Sequence, residues 1–517
     1  MLANRLSCDP HQQVLLLEAG PADRNPLIHV PIGFGLLYGH KTLNWNWVSD
    51  PEPAFNNRVV EHPLGKVLGG TSAINGMMYV RGQRADYDLW AGLGNRGWSY
   101  DEVLPHFKQS ESYEGGANAY HGASGEWHVE TVRFSSPLAD AFRQAAITAG
   151  IPPNDDINGA QQRGIGPVPV NQRRGRRATA ATAFLRPVRQ RPNLHVLTGA
   201  LACEIVFDGR RARAVRYRRK GACSAAGAGR EVLLCGGTLH SPQLLQLSGV
   251  GPAALLQRHG IPVRCDLPGV GENLQDHLAV DVVYECTQPV TLLDELKPHR
   301  FIKHVFAYLV AGRGLLTFNG SLVAGFCHTS GDQSQPPNCQ LAFFPAAVAR
   351  IGGEAKSLRM LRGMTAMAYA LRPEARGCVH IQSNDPAIAP AIRHHFLQSA
   401  NDCREVVEVV RLQRHLFAQP AFDPYRGTEM QPGAALHSDA DLLAYVRATG
   451  RGCYHPVGTC KMGRDALAVV DERLRVHGVE GLRVVDASIM PTLVSGNTCA
   501  PTVMIGEKAA PMILEDR

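Results

Sequence analysis

The stretch "MLANRLSCDPHQQVLLLEAG", residues 1–20, restricts the fold of this chain more than any other. Leu2 and Leu6 stand at helical spacing, Val14 to Leu17 form a compact apolar run, and Glu18-Ala19-Gly20 closes it. That order predicts a short helix, a turn, and a buried strand ending in an acid. It looks like the second half of a βαβ nucleotide-binding unit, in which a glycine-rich loop precedes the helix and an acidic residue about 20 positions later takes the ribose hydroxyls. Counting back that far from Glu18 reaches residue 1 or earlier, so a G-x-G-x-x-G loop and its strand are expected upstream of Met1.

At 517 residues the chain is too long for one core, and two interleaved domains are expected. With 44% hydrophobic and 19% charged residues it fits a globular enzyme, and no apolar run reaches the roughly 18 residues that span a bilayer. The net charge of +7 is modest. Its basic clusters, Gln172 to Arg177 and Arg210 to Lys220, come with no binding motif, so they read as solvated loops and nucleic-acid binding is not expected. The 13 cysteines never form C-x-x-C, which predicts reduced thiols in a reducing compartment; the expected location is cytoplasmic or membrane-associated. No His-x-x-x-His or Cys/His ligand cluster occurs among the 21 histidines, so no metal is expected.

Along the chain, Ser99 with Glu102 predicts a capped helix over 99–113, and a second helix fits 138–149, stopped by Gly150. Trp45 and Trp47 read as packing residues in an extended loop. The segment 194–220 alternates and turns at Asp208-Gly209, a hairpin signal. "REVLLCGG" reads as a buried strand, followed by a helix with Pro242 near its first turn. "PGVGENLQDH" reads as a tight turn with a capped helix start. Its Asp276-His277 is set aside as half of a catalytic triad, because no G-x-S-x-G elbow supplies a nucleophile. Cys235 and Cys460 read as small core residues. From about 286 to 440 the texture of longer polar loops suggests a separate domain, and a helix is expected over 501–515.

Four stretches carry the chemistry. "GKVLGGTSAINGMMYVRGQRADYD", residues 65–88, is a loop whose backbone can approach a phosphate or flavin edge, with small hydroxyls aimed at it. "CGGTLHSPQLLQLSGVGP" lies at a strand end, where doubly wound sheets place ligands. "CYHPVGTCKMG" holds His455 before a proline, in a restricted backbone that suits a fixed imidazole. "VVDASIMPTLVSGNTCAPTVMIGEKAA" supplies Asn497 in a loop of small residues, able to share a substrate oxygen with His455.

Together, in this order, these stretches resemble the glucose-methanol-choline (GMC) oxidoreductases, FAD-dependent enzymes that oxidise alcohols, and the choline dehydrogenase-like or aliphatic alcohol dehydrogenase branch in particular. The resemblance implies an α/β fold: a Rossmann-like FAD-binding domain plus an α+β substrate domain with an antiparallel sheet. By the same resemblance the FAD-binding part would comprise 1–140, 195–285 and 453–517, and the substrate part 141–194 and 286–452. Glu18 would take the adenosine ribose and the Ala202 backbone the adenine. Gly65, Val67, Gly69, Gly70, Thr71, Ser72, Asn75, Gly76 and Met77 would lie along the pyrophosphate and isoalloxazine. Asp486 and Ala487 would take the pyrophosphate and ribityl region, and Asn497, Pro501 and Thr502 would face the flavin. His455 would be the catalytic base beside Asn497, with hydride passing to flavin N5 and an aldehyde as product.

Where some members of the family carry a histidine bonded to the flavin, this chain has Ile74, so non-covalent FAD is expected. Where choline-specific members place a glutamate it has Val323, which favours a neutral primary alcohol over choline. The electron acceptor would be a quinone or a soluble mediator. A non-redox lyase on the same fold, and an inactive truncated flavoprotein homologue, are the alternatives.

Overall fold

The computed structural model describes residues 1–329, 333–350 and 358–516. The apolar run after the first turn forms the strand Val14–Glu18, which pairs in parallel with Leu194–Thr198 so that Glu18 lies opposite Thr198. A second parallel pair joins Val232–Leu234 to Leu482–Val484. The two pairs do not bond to each other, and both line the same cavity, through Leu15 to Leu17 on one side and Leu233 and Leu234 on the other. The parallel sheet expected of a nucleotide domain is thus present as two separate pieces.

Beside them the hairpin Ala200–Asp208 and Arg211–Arg219 turns at Asp208-Gly209, with Gly209 at φ 57°, and Ala222–Gly227 extends it. The basic cluster from Arg210 to Lys220 is therefore mostly strand and not loop, its arginines spread along a partly exposed ribbon. The core of this half gathers Trp90, Trp98, Trp127 and Phe184 around the last helix, Cys499–Glu515.

The other half is built on a seven-stranded sheet. Its order runs Arg426–Gln431, Leu278–Cys286, Gly363–Ala370, Cys339–Phe344, Val323–Cys327, Gly164–Pro167, with Arg451–Gly452 also bonded to Leu278–Cys286. Every pairing in it is antiparallel. Leu278–Cys286 was expected in the FAD-binding part, yet by pairing it is an inner strand of this sheet, so the boundary falls before Leu278 and not at 285. Strand alternation divides its side chains between two faces. Val280 and Val282 enter the core, as do Met364, Ala366 and Ala368, whereas Asp281, Val283, Thr365, Met367 and Tyr369 wall the cavity. The helix Ala400–Phe417 covers the core face with Val406, Val407, Val409 and Val410, and its Gln413 Nε2 donates to the carbonyls of Val280 and Ala366. Ser399 caps it by accepting from the amides of Asn401 and Asp402.

The local signals mostly hold: Ser99 and Glu102 form a capping box for Tyr100–Ser110, and the second helix is Pro137–Thr148. Two expectations fail. The helix Gly237–Leu247 begins five residues before Pro242, which lies inside it. "PGVGENLQDH" starts no helix: Leu274 bridges Gly377 and Gln275 bridges Val457, because the Gln275 amide is engaged by the Pro491 carbonyl and the Leu493 amide. No helix among the described residues is long and apolar enough to cross a membrane.

Candidate active site

The two bridges at Gln275 run on, with the Cys453 amide donating to the His277 carbonyl, so the segments 275–277 and 453–457 lie side by side. That pairing brings His277 against His455. The Nδ1 atoms of the two rings are 3.1 Å apart, and His277 Nε2 stands 3.1 Å from the carbonyl oxygen of Leu371. A carbonyl only accepts, so His277 carries its proton on Nε2 and presents a lone pair at Nδ1. His455 must then donate from Nδ1, which leaves the lone pair of the His455 imidazole on Nε2. Asn497 Nδ2 donates to that atom at 2.9 Å, and Asn497 Oδ1 is held by Gln340 Nε2 at 3.1 Å, which fixes the amide's orientation. Burial pushes the His455 imidazole down to about 3 and His277 well below its ordinary value, so both rings are neutral near pH 7.

Asp276 is not a third member of this chain of rings. Its Oδ1 accepts from the His455 backbone amide at 2.9 Å, and burial pushes the carboxyl up to about 7. It positions the His455 backbone, while His277 sets the ring. Sequence reasoning discarded both, because it tested them only as partners of a serine. The G-x-S-x-G criterion says nothing about a base that acts without a nucleophile.

His455 and Asn497 face a cavity of about 1950 Å³, far above the ~300–1,000 Å³ of an ordinary small-molecule pocket. Most of the expected cofactor residues line it: Glu18, Gly65, Gly69 to Ser72, Asn75 to Met77, Ala202, Asp486, Ala487, Asn497 and Thr502. Val67 and Pro501 do not. Val67 is fully buried beside Ile28 and Leu37, and Pro501 is buried in the last helix.

The loop works differently from the expectation. Thr71 Oγ1 accepts from the Gly65 amide, and Ser72 Oγ donates to the Gly69 carbonyl and accepts from the Ala180 amide, so both hydroxyls hold the loop itself. Gly69 at φ 98° and Gly70 at φ 57° give the turn a conformation that L side chains avoid, and the backbone is left as the ligand-facing surface. Arg177 clamps the loop from behind, its NH1 donating to the carbonyls of Ser72 and Asn75 and to Asn75 Oδ1. This arginine belongs to the basic cluster read as solvated, yet it is 3% exposed, and burial lowers it to about 10. Asp486 is fully engaged too, accepting from the Gly237 and Ser488 amides and from the hydroxyls of Ser241 and Ser488. Its role is to hold two turns together.

These residues fit a bound FAD. Glu18 accepts from the Gly20 amide at 2.7 Å and faces the cavity at the end of its parallel strand. Burial pushes this carboxyl up to about 7. A carboxyl so placed has acceptor capacity to spare for a ribose diol. Ala202 stands at a register shift in its hairpin and lines the cavity. Ile74 is on the wall and offers no nucleophile. Val323 packs in the core of the sheet and not on the wall, so the missing carboxylate there carries no information about substrate charge. Cys460 is buried as expected, whereas Cys235 lines the cavity. Trp45 and Trp47 pack on His240, as packing residues should.

A nucleotide-type acid, a glycine turn, and a histidine-asparagine pair on one cavity define a flavin-dependent oxidoreductase acting on CH-OH donors. The particular family follows from comparison: sequence models of the GMC oxidoreductases match residues 19–279 and 373–506, and the chain belongs to that family. It is 45% identical to an oxygen-dependent choline dehydrogenase of Burkholderia multivorans, over 99% of this chain and 91% of that protein. To oxygen-dependent choline dehydrogenase 1 of Chromohalobacter salexigens it is 44% identical, over 99% and 92%. Among solved structures it is similar to pyridoxine 4-oxidase from Mesorbium loti, with TM-score 0.89, 29% identity and coverage of 99% and 96%. It also shares its fold with an Aspergillus oryzae formate oxidase at TM-score 0.91 and 24% identity. The chain is accordingly an FAD-dependent GMC-family alcohol dehydrogenase, choline dehydrogenase-like.

Proposed function

We propose that this protein oxidises a primary alcohol to an aldehyde, with His455 as base and Asn497 as the group that holds the substrate oxygen. The observation that carries the proposal is the ring-to-ring relay ending on the Leu371 carbonyl, which leaves the His455 Nε2 lone pair directed at Asn497 and the cavity. When bound, non-covalently, FAD supplies hydride acceptance. His455 Nε2 takes the hydroxyl proton when the substrate hydroxyl replaces Asn497 Nδ2 at its lone pair, and the Nδ2 protons so released hydrogen-bond the oxygen as negative charge develops on it.

A neutral alcohol is the preferred substrate class. The carboxylate on the antiparallel sheet's cavity face, Asp281, is neutralised by Arg451, whose NH2 reaches both of its oxygens at 2.8 and 2.9 Å. The names of the relatives bring choline as the second reading, and the aromatic wall at Tyr369 and Phe344 would suit a quaternary ammonium. Comparing kcat/KM for choline and for a neutral primary alcohol of similar size separates the two.

The role of His455 is tested by His455→Ala, which should keep its flavin and lose roughly 10²- to 10⁴-fold in turnover. Near-normal turnover would remove the base assignment. Failure of any alcohol to bleach the bound flavin anaerobically would favour a non-redox lyase instead.

A further inference from the structure

Four positions before the base, the segment that carries His455 also carries Arg451. Arg451 pairs with Ala279 and Gly452 with Leu278, which fixes the arginine beside the strand Leu278–Cys286 and its carboxylate Asp281. Only one nitrogen of the guanidinium is spent on that carboxylate. NH2 reaches both Asp281 oxygens, whereas Nε and NH1 donate to no described residue. Asp281 in turn takes no other side-chain donor among the described residues, so its oxygens keep lone pairs.

Both side chains line the cavity and remain partly open, 27% for Arg451 and 29% for Asp281. They stand on the wall that leads away from the base. The Tyr369 ring lies against the His455 ring, with centroids 5.9 Å apart, and Met367, the next residue on that face of its strand, is the register partner of Asp281. Two strand residues advance about 7 Å, which an extended chain covers in roughly six bonds. Val283, Met367 and Phe344 make the surrounding wall largely apolar, and the Thr365 hydroxyl is spent on the Ala346 carbonyl. A polar pair with open donors and acceptors is thus set at a fixed step from the base in otherwise apolar surroundings.

We propose that Arg451 and Asp281 form a second substrate subsite for a distal hydroxyl, so that the preferred substrate is a diol or polyol, oxidised at one primary end and held at another hydroxyl roughly six bonds away. The proposal rests on the reading that His455 receives a neutral alcohol. A hydroxyl is the neutral group that uses both halves of the pair: its oxygen accepts from Arg451 and its O–H donates to Asp281. A carboxylate would gain the arginine but face the aspartate at close range, and a quaternary ammonium would face the arginine. A plain alkyl chain would leave buried donors without partners, the circumstance in which a site built for a hydroxyl rejects the analogue that lacks it.

The test is calorimetric titration of the FAD-loaded protein with 1,6-hexanediol and with 1-heptanol, which carries a methyl in place of the distal hydroxyl. The flavin is first reduced with dithionite under argon, so that neither alcohol is turned over and binding alone is read. The diol's advantage, the dissociation constant of 1-heptanol divided by that of the diol, should fall about tenfold or more in Arg451→Met. It should fall as far in the double change Arg451→Met, Asp281→Leu, which leaves no unpaired charge on the wall and should hold 1-heptanol at least as tightly as the wild type does. An advantage unchanged in both variants overturns the proposal. So does a parallel loss of both ligands, which would make the ion pair a structural feature. Flavin reduction by the same alcohols is read separately: its failure would refute alcohol oxidation, while the binding ratio would still decide the subsite.

Discussion

Replacing His277 by phenylalanine tests whether a residue with no access to substrate controls the base. The change keeps a flat ring in the space packed against Tyr369 and removes the acceptor of the His455 Nδ1 proton. Left in place, that N–H would be buried without a partner at a cost of about 1–3 kcal/mol. The ring can escape by moving its proton to Nε2, the atom that has to accept from the alcohol. The reactive tautomer is then disfavoured by the same amount, and kcat should fall roughly 5- to 150-fold, since about 1.4 kcal/mol is a factor of ten. KM should stay within twofold, because His277 does not touch the cavity contents. His277→Asn, whose side-chain oxygen can accept from Nδ1, should recover part of the loss. The assay is anaerobic stopped-flow reduction of the bound flavin at saturating alcohol, with flavin content and melting temperature checked in each variant. A His277→Phe protein that reduces its flavin within twofold of the wild-type rate would refute the relay.

Two further outcomes are expected. Arg177→Met removes the clamp on the glycine turn, three hydrogen bonds from one buried cation, and the dissociation constant of FAD should rise at least tenfold by fluorescence titration; unchanged affinity would make the clamp incidental. His455 and His62 have folded-state values of about 3 and about 4 against an ordinary 6.5, both from burial. Each therefore contributes stability that is complete above pH 6.5 and lost as the pH falls toward 3–4, amounting to roughly 2 kcal/mol each by pH 5. The carboxyls of Glu18 and Asp276, raised to about 7, act in the opposite sense over the same range, so the test is a difference: the stability lost between pH 7 and pH 5 should shrink by roughly 2 kcal/mol in His62→Leu, and an unchanged loss would contradict the buried neutral state.

What could be read from the residues followed from how locally each feature is encoded. The Val14–Glu18 strand, the Ser99 capping box and the Asp208-Gly209 turn each depend on neighbours within a few positions, so their patterns survive in the sequence. His455 and Asn497 were also legible, since their stretches match a family pattern. His277 was not, because its role comes from a bridge between segments 178 positions apart. Arg177 was hidden for a similar reason: in "RRGRR" the four arginines look alike, and only the fold turns one inward while leaving the other three outside. The strand Leu278–Cys286 was placed in the wrong half because a buried apolar run looks the same whichever sheet it joins. Val323 shows the converse error, in which a residue was given a substrate role by counting and the strand's alternation points it into the core.

The relay that orients His455 has a further consequence, for the path of the proton once it has been taken. The line of rings stops at a backbone carbonyl, which accepts a hydrogen bond but has no proton to pass on. A proton captured at Nε2 has no inward route. It must leave by the side it entered, past Asn497 and into the cavity, so the base is restored only when that side meets water or another acceptor.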